Sequence, residues 1–121
     1  DKEDKKEFFA LCVSNDNGNI VAEGEIEKMP RWIEKHVAEI RFAMLPDVDF
    51  IEATKNMIGE LIKKAKENDI KVLLYFHLKT QKRGIEIMQD LGFEELGVVK
   101  NYYKRGDEYI DRVYLVKYLY E

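Results

Sequence analysis

Two side chains have types and positions suited to proton transfer. Glu39 lies in a largely apolar stretch, and His77 lies close to the end of another. A carboxylate whose pKa is raised by partial burial can accept a proton, and a histidine with an ordinary pKa of about 6.5 can act as a base or proton shuttle. Each has a structural alternative: Glu39 would face solvent if Ala38 and Ile40 define the buried face, and His77 would be a hydrogen-bonded residue at a strand end.

The remaining polar groups give weaker signals. Residues 79–83 form a short basic run, for which a solvated helix start is the expected structure. The seven tyrosines could supply a proton donor, although strands commonly hold half-buried tyrosines for packing alone. Cys12 lies in an apolar stretch, so we expect a small buried hydrophobe. A single cysteine excludes an internal disulfide and a cysteine-built metal site; we predict no metal, and the reducing cytoplasm as the location.

Length and charge narrow the classes of function. The 121 residues fit one domain, which we expect over residues 8–121 after a charged leader at 1–7. Apolar residues make up 45% of the chain, enough for a core, and 36% are charged. The formal charge of -4 provides no general attraction for nucleic acid or for an anionic membrane. No apolar run approaches the roughly 20 residues needed to span a bilayer. We therefore predict no nucleic-acid partner and no membrane association.

Hydrophobic periodicity predicts six strands, the third of which is apolar enough to be central in a sheet. In chain order the expected strands are Phe8–Val13, Ile20–Ile26, His36–Leu45, Lys71–Leu78, Gly97–Tyr103 and Tyr109–Tyr118. Residues 15–19 form a turn, in which Asn17 and Gly18 are expected to supply the positive φ angles of a hairpin.

Two helices are predicted between these strands. From Asp49 to Asn68, apolar residues recur at intervals of three and four, and Asp49 with Glu52 forms a capping-box pattern. The next strand is then reached by a helical crossover, so it should run parallel to the third. Thr80 is expected to cap a shorter second helix that Gly92 stops in a left-handed conformation.

The predicted element order is β-β-β-α-β-α-β-β. This order indicates the α/β class (an α+β mixed sheet) with helices packed on the sheet. The last strand, if it is an exposed edge, favours a homodimer formed by edge pairing.

Three segments, at 36–46, 86–97 and 109–115, resemble the GNAT superfamily of acetyl-CoA-dependent N-acetyltransferases. The first is similar to the family's fourth strand, in which a Glu lies among small and aliphatic residues before a Pro. The second resembles the family's "lyeklGF" helix end, and the third its closing "y-x-D-x-x-x-M" strand. The likeness extends over nearly the whole chain, from about Phe8 to Leu119, with the element order as its main support.

The resemblance implies acetyl-CoA as cofactor and a small-molecule or protein amine as acceptor. It implies Glu39 as the general base, and His77 is the second catalytic candidate from its place at a strand end. The positions that correspond to cofactor contacts are Met44, Leu45, Ala53, Thr54, Gln81 and Lys82.

The chain departs from the family pattern where the cofactor pyrophosphate would bind. The family's Gly-rich Arg/Gln-x-x-Gly-x-Gly/Ala loop corresponds to residues 45–54, which contain neither glycine nor arginine and carry Asp47, Asp49 and Glu52. Met88 stands where the family often has a tyrosine acid, Gln81 stands at the position of the usual asparagine, and the family's first strand and two helices are expected to be missing. Two interpretations stay open: an acyl-CoA N-acyltransferase, or a non-catalytic GNAT-fold interaction or ligand-sensing domain with a decayed CoA site.

Overall fold

A six-stranded mixed sheet carries two helices. The computed structural model describes residues 8–120; the leader predicted at 1–7 lies outside these residues. The strands are β1 (Phe8–Ser14), β2 (Ile20–Lys28), β3 (Val37–Met44), β4 (Val72–Leu78), β5 (Glu94–Arg105) and β6 (Glu108–Tyr118), and the helices are α1 (Ile51–Glu67) and α2 (Lys82–Asp90). The predicted element order and the mixed α/β class are confirmed.

The strands are arranged in the order β1-β2-β3-β4-β6-β5. All neighbouring pairs are antiparallel except β3 and β4, which are parallel, as the helical crossover predicted. β3 is central, as expected from its apolar composition. The expectation that the last strand is an exposed edge is wrong, because β6 lies between β4 and β5 and the edges are β1 and β5. β6 therefore has no free edge through which a second copy could pair.

Both helices pack on one face of the sheet, which contains the core. The predicted stripe of α1 is buried, and Leu61 fits against Gly24 of β2, where an added Cβ would lie only 3.0 Å from the leucine side chain. Ala38, Ile40 and Leu73 of the central strands are completely buried beneath the helices. The opposite face, which we call the open face, carries Glu39, Arg41, Phe76, Arg112 and Tyr114. Within residues 8–120, no helix packs on the open face.

The helix starts differ from the sequence predictions. A short 3-10 turn (Val48–Phe50) precedes α1 and makes Phe50 its N-cap, so the predicted capping box of Asp49 and Glu52 is wrong. Asp49 instead donates its backbone amide to the carboxylate of Asp47 at 3.0 Å. Thr80 is likewise not a cap, because α2 begins one residue later than predicted, with Gln81 at its N-cap.

Three smaller predictions had different outcomes. The left-handed stop after α2 is confirmed, since Gly92 has φ of 93° and Phe93 is buried against the core. The buried position predicted for Cys12 is wrong: it is exposed, because β1 is an edge strand and Cys12 alternates with Leu11, which faces the helices. In the β1–β2 turn only Gly18 has a positive φ, whereas Asn17 does not.

Neither α1 nor α2, the two helices of residues 8–120, is long and apolar enough to cross a membrane.

Candidate functional site

The two parallel strands at the centre of the sheet separate along their length. β3 and β4 pair at three positions, Val37 with Val72 through Glu39 with Leu74. Beyond these pairs β3 continues to Met44 and β4 to Leu78, each still paired along its outer edge. At the carboxyl ends of the two strands, the backbone edges that face each other are therefore not hydrogen-bonded to one another. Open α/β sheets place ligands at the carboxyl ends of their strands.

The separation opens a cleft of about 720 Å³ between β3 and β4. Met44 and His77 line it from the helix face, and Arg41 and Phe76 line it from the open face. The gap therefore connects the two sides of the sheet. The first turn of α2 closes one end and brings Lys82 to the lining.

His77 is held in a defined protonation state beside this cleft. The side-chain oxygen of Gln81 accepts the backbone amide of Leu78 at 3.3 Å, which identifies that atom as an acceptor. The same oxygen lies 2.5 Å from Nδ1 of His77, so Nδ1 must carry the proton and donate it. Nε2 is then the bare nitrogen, and it is buried without a hydrogen-bond partner among the described residues.

Burial explains the electrostatics of this imidazole. It lowers the pKa of His77 below the usual 6.5, and the hydrogen bond to Gln81 only partly offsets this effect. Protonation would add a second N–H group, at Nε2, that has no acceptor among the described residues, and this is costly in a buried site. His77 is therefore neutral at physiological pH. The neighbouring Tyr75 ring packs edge-on against it, and burial raises the pKa of the Tyr75 phenol, so this group also stays neutral.

Gly84 allows α2 to approach these two rings closely. A Cβ at this position would lie 2.3 Å from Nε2 of His77 and 3.0 Å from the Tyr75 hydroxyl. The first distance requires the imidazole or the helix to shift, and the second is tighter than most Cβ contacts in proteins. Gly84 was not recognised from the sequence, although a glycine in the first turn of a helix that follows a histidine strand end was the available signal.

Glu39 lies on the open face, away from the helices. Its carboxylate forms an ion pair at 3.2 Å with Arg41, and about a quarter of its side chain is exposed. Arg41 also binds Glu25 at 2.7 Å and Glu27 at 2.9 Å. The solvated alternative is therefore only partly correct: Glu39 faces outward, but it is half-buried and paired. Glu39 and His77 lie on opposite faces of the sheet and are not brought together.

The predicted cofactor residues divide into two groups. Met44, Gln81 and Lys82 line the cleft. Leu45, Ala53 and Thr54 are not part of its lining: Leu45 donates its backbone amide to Val21, and the fully buried hydroxyl of Thr54 donates to the Phe50 carbonyl at 2.6 Å. The Thr54 hydroxyl is used inside the protein, so it is not available to a ligand.

The starts of the two helices differ in charge. The carboxylate of Asp47 accepts a hydrogen bond from the backbone amide of Asp49 just before α1, and this loop is acidic. The start of α2 is basic, and Arg83 donates from Nη1 to the Pro46 carbonyl at 3.4 Å, connecting α2 to the loop before α1. On this side of the cleft, the positive charge available to an anion therefore comes from α2, where Lys82 and Arg83 line the opening. Among residues 8–120, no group of three or more His, Cys, Asp or Glu side chains could hold a metal ion.

A comparison with protein-family models matches residues 2–114 to an acetyltransferase (GNAT) domain. The chain belongs to the GNAT acetyltransferase family. The mixed sheet with its two helices described above is thus the GNAT fold in this chain. A comparison with curated protein sequences gives no significant match.

Solved structures agree with the GNAT fold. A ribosomal-protein-alanine N-acetyltransferase from Brucella melitensis superposes with a TM-score of 0.85 at 20% identity, covering 98% of this chain and 73% of that one. An N-acetyltransferase from Staphylococcus aureus Mu50 gives 0.86 at 14% identity, covering 98% and 72%. A GNAT phosphinothricin acetyltransferase from Sinorhizobium meliloti in complex with AcCoA gives 0.85 at 14% identity, covering 96% and 63%. At these identities the similarity concerns the fold.

The contact between α2 and His77 predicts a specific sensitivity to an added methyl group. Gly84→Ala should lower the free energy of unfolding by about 1–3 kcal/mol, because the new Cβ must displace the imidazole or the helix. Gly59→Ala is the matched control, since a Cβ at this helical glycine meets nothing within 4 Å. That variant should be more stable than the parent by up to about 1 kcal/mol. Chemical denaturation measures both; equal effects at the two glycines would contradict the packing described.

The buried imidazole also predicts a dependence of stability on pH. Because the pKa of His77 is lower in the folded state than the ordinary 6.5, the unfolded chain binds a proton more readily as the pH falls below 6.5. The free energy of unfolding should therefore decrease from about pH 6.5 towards pH 5, and above pH 6.5 this contribution should be constant. His77→Phe should flatten the profile in this window, whereas the exposed His36→Phe should leave it unchanged. Denaturant titrations across the window measure the slopes, and an unaltered slope in His77→Phe would contradict the assignment.

Proposed function

We propose that this GNAT domain transfers an acyl group from acyl-CoA, acetyl-CoA in the first instance, to an amine. The observation that carries the proposal is the cleft between the diverging ends of β3 and β4, with the basic start of α2 at one end. Family membership supports the same chemistry. When bound, acetyl-CoA supplies an activated thioester whose acyl group passes to the amine with release of the thiol.

The residues of the cleft fit the amide-bearing arm of such a cofactor. Beyond the pairing of Glu39 with Leu74, the facing edges of β3 and β4 have no ladder between them, and an extended chain with its own amides can bind to such an edge as an added strand does. Met44 contributes an apolar contact, and Gln81 holds the strand end through Leu78. The acidic loop before α1 fits a pyrophosphate poorly, so we assign the phosphate contacts to Lys82 and Arg83 of α2.

We assign the proton-accepting role to Glu39. Its carboxylate is partly exposed on the open face, and its partner Arg41 lines the cleft. A carboxylate in this position can take the proton that an acceptor amine loses, directly or through a water molecule. His77 suits this role less, because its bare Nε2 is buried against α2. We assign His77 to positioning Gln81 and the start of α2. The non-catalytic interpretation is not favoured by the family assignment.

Binding of acetyl-CoA tests the cofactor assignment. Isothermal titration calorimetry should detect binding. Lys82→Glu should raise the Kd by about 10-fold or more, because it replaces a favourable charge with a repulsive one. Lys63→Glu makes the same charge change on the exposed side of α1 and should leave the Kd unchanged. Absence of heat up to millimolar acetyl-CoA would overturn the proposed function.

Replacement of the proposed base tests the chemical step. Glu39→Gln should lower kcat by about 100-fold or more, since general-base catalysis contributes that amount, and should leave the Kd for acetyl-CoA unchanged. Glu25→Gln is the matched control, because Glu25 also binds Arg41 but lies one strand further from the cleft. Thiol release with a panel of amines measures kcat. Equal losses in the two variants would mean that the ion pairs with Arg41, and not a proton transfer at Glu39, limit the rate.

A further inference from the structure

One of the five arginines differs from the others in its surroundings. Four of them each have an oxygen partner: Arg31, Arg41, Arg83 and Arg105. Among the described residues, Arg112 has neither an ion pair nor a hydrogen-bond acceptor, and its Nε is buried without a partner. A guanidinium carries five donors and keeps its charge, so a half-buried one without an acceptor calls for an explanation.

Aromatic rings hold this guanidinium instead of a carboxylate. Its central carbon lies 4.3 Å from the ring centre of Phe76, 4.6 Å from Tyr102, 5.1 Å from Tyr114 and 6.0 Å from Tyr103. Such contacts attract the cation without neutralising it. They also restrict its motion, so a bidentate partner would cost little additional side-chain entropy.

The rings of Phe76, Tyr102, Tyr103 and Tyr114 form an aromatic cage around Arg112, and a bulge in β5 builds part of it. The pairing of β5 with β6 is interrupted between Val99 and Tyr103, and Asn101 in the bulge has a positive φ of 56°. The amide of Asn101 donates to the carboxylate of Asp111 at 2.9 Å, which holds the bulge in place next to Arg112. The other oxygen of Asp111 pairs with Lys79 at 3.9 Å. Because consecutive side chains of a strand point to opposite faces, Asp111 does not pair with its neighbour Arg112.

The cage adjoins the cleft. Phe76 belongs to both, since its ring contacts Arg112 and it also lines the cleft. Arg112 pairs with Leu78 at the carboxyl end of β4, on the open face. On the other side of the cleft, the charge of Arg41 is already met by carboxylates. Of the two arginines near the cleft on this face, Arg112 is the one that retains its donors.

We propose that Arg112 binds a carboxylate of the acceptor, so that the substrate is a small molecule carrying both an amine and a carboxylate, such as an amino acid. The inference rests on the proposed function for the amine end. The guanidinium would supply paired donors to the carboxylate, and Glu39, which lies on the same open face in β3, would take the proton from the amine. The aromatic cage would keep the guanidinium aligned.

Matched substrates test the inference by turnover. Each of the twenty amino acids is compared with its carboxamide, which has the same shape without the negative charge, by thiol release from acetyl-CoA. We expect at least one amino acid to be used with a kcat/KM about 10-fold or more above that of its amide, because hydrogen bonds to charged groups are worth this factor. Arg112→Gln should raise KM for the acid by a similar factor and leave the amide unchanged. Arg105→Gln, at the exposed end of β5, should change neither.

A binding measurement on the unaltered protein separates this inference from the proposed function. The side-chain Nε–Hε resonances of the five arginines can be followed by NMR, with Arg112→Lys identifying the signal of interest. Titration with the amino acids, in the absence and presence of acetyl-CoA, should shift the Arg112 signal, and the carboxamides should not. A shift without any turnover would preserve the carboxylate site and overturn the proposed function. Turnover that does not distinguish acids from amides, or an Arg112 signal that no amino acid moves, would overturn the inference.

Discussion

The separation of β3 from β4 is the constraint on which the other features of this domain depend. Only three residue pairs join the two strands, whereas each remains paired to its outer neighbour along its length. The sheet therefore behaves as two antiparallel units joined at one end. The stacked rings of Phe42 and Tyr75, 5.5 Å apart, bridge the diverging parts from the helix side. Because hydrogen bonds hold both units along their outer edges, the gap is part of the fold itself.

The position of α2 follows from this gap. The helix begins directly after β4, and its first turn must lie over side chains at the end of that strand. Gly84 permits the close approach, and Gln81 ties the helix start to His77 and to the backbone of Leu78. A small set of tight contacts thereby places the basic residues of α2 at the opening of the cleft. The same contacts leave His77 neutral and enclosed, which separates its structural role from the proton chemistry assigned to Glu39.

Charge is distributed unevenly around the cleft. The loop before α1 is acidic and uses one of its own carboxylates to bind a backbone amide, so α2 supplies the positive charge on the helix side. On the open face, Arg41 is enclosed by carboxylates, whereas Arg112 is enclosed by aromatic rings. Carboxylates neutralise a guanidinium and aromatic rings do not. Two arginines that look equivalent in the sequence therefore have different capacities to bind an anion.

Local patterns in the sequence determined the element types, their order, the buried stripe of α1 and the left-handed stop at Gly92, because periodicity and turn residues act over a few neighbouring positions. They also carried the resemblance to GNAT proteins. The capping of α1 and the exposure of Cys12 were predicted wrongly, because the 3-10 turn before α1 and the position of β1 at an edge arise from the assembled sheet. Only the tertiary structure decided that β6 is internal, that β3 and β4 diverge, and that Arg112 lies among four rings. Each of these features joins residues that are far apart in the chain. Strand order and register bring these residues together, and no short segment encodes either one alone.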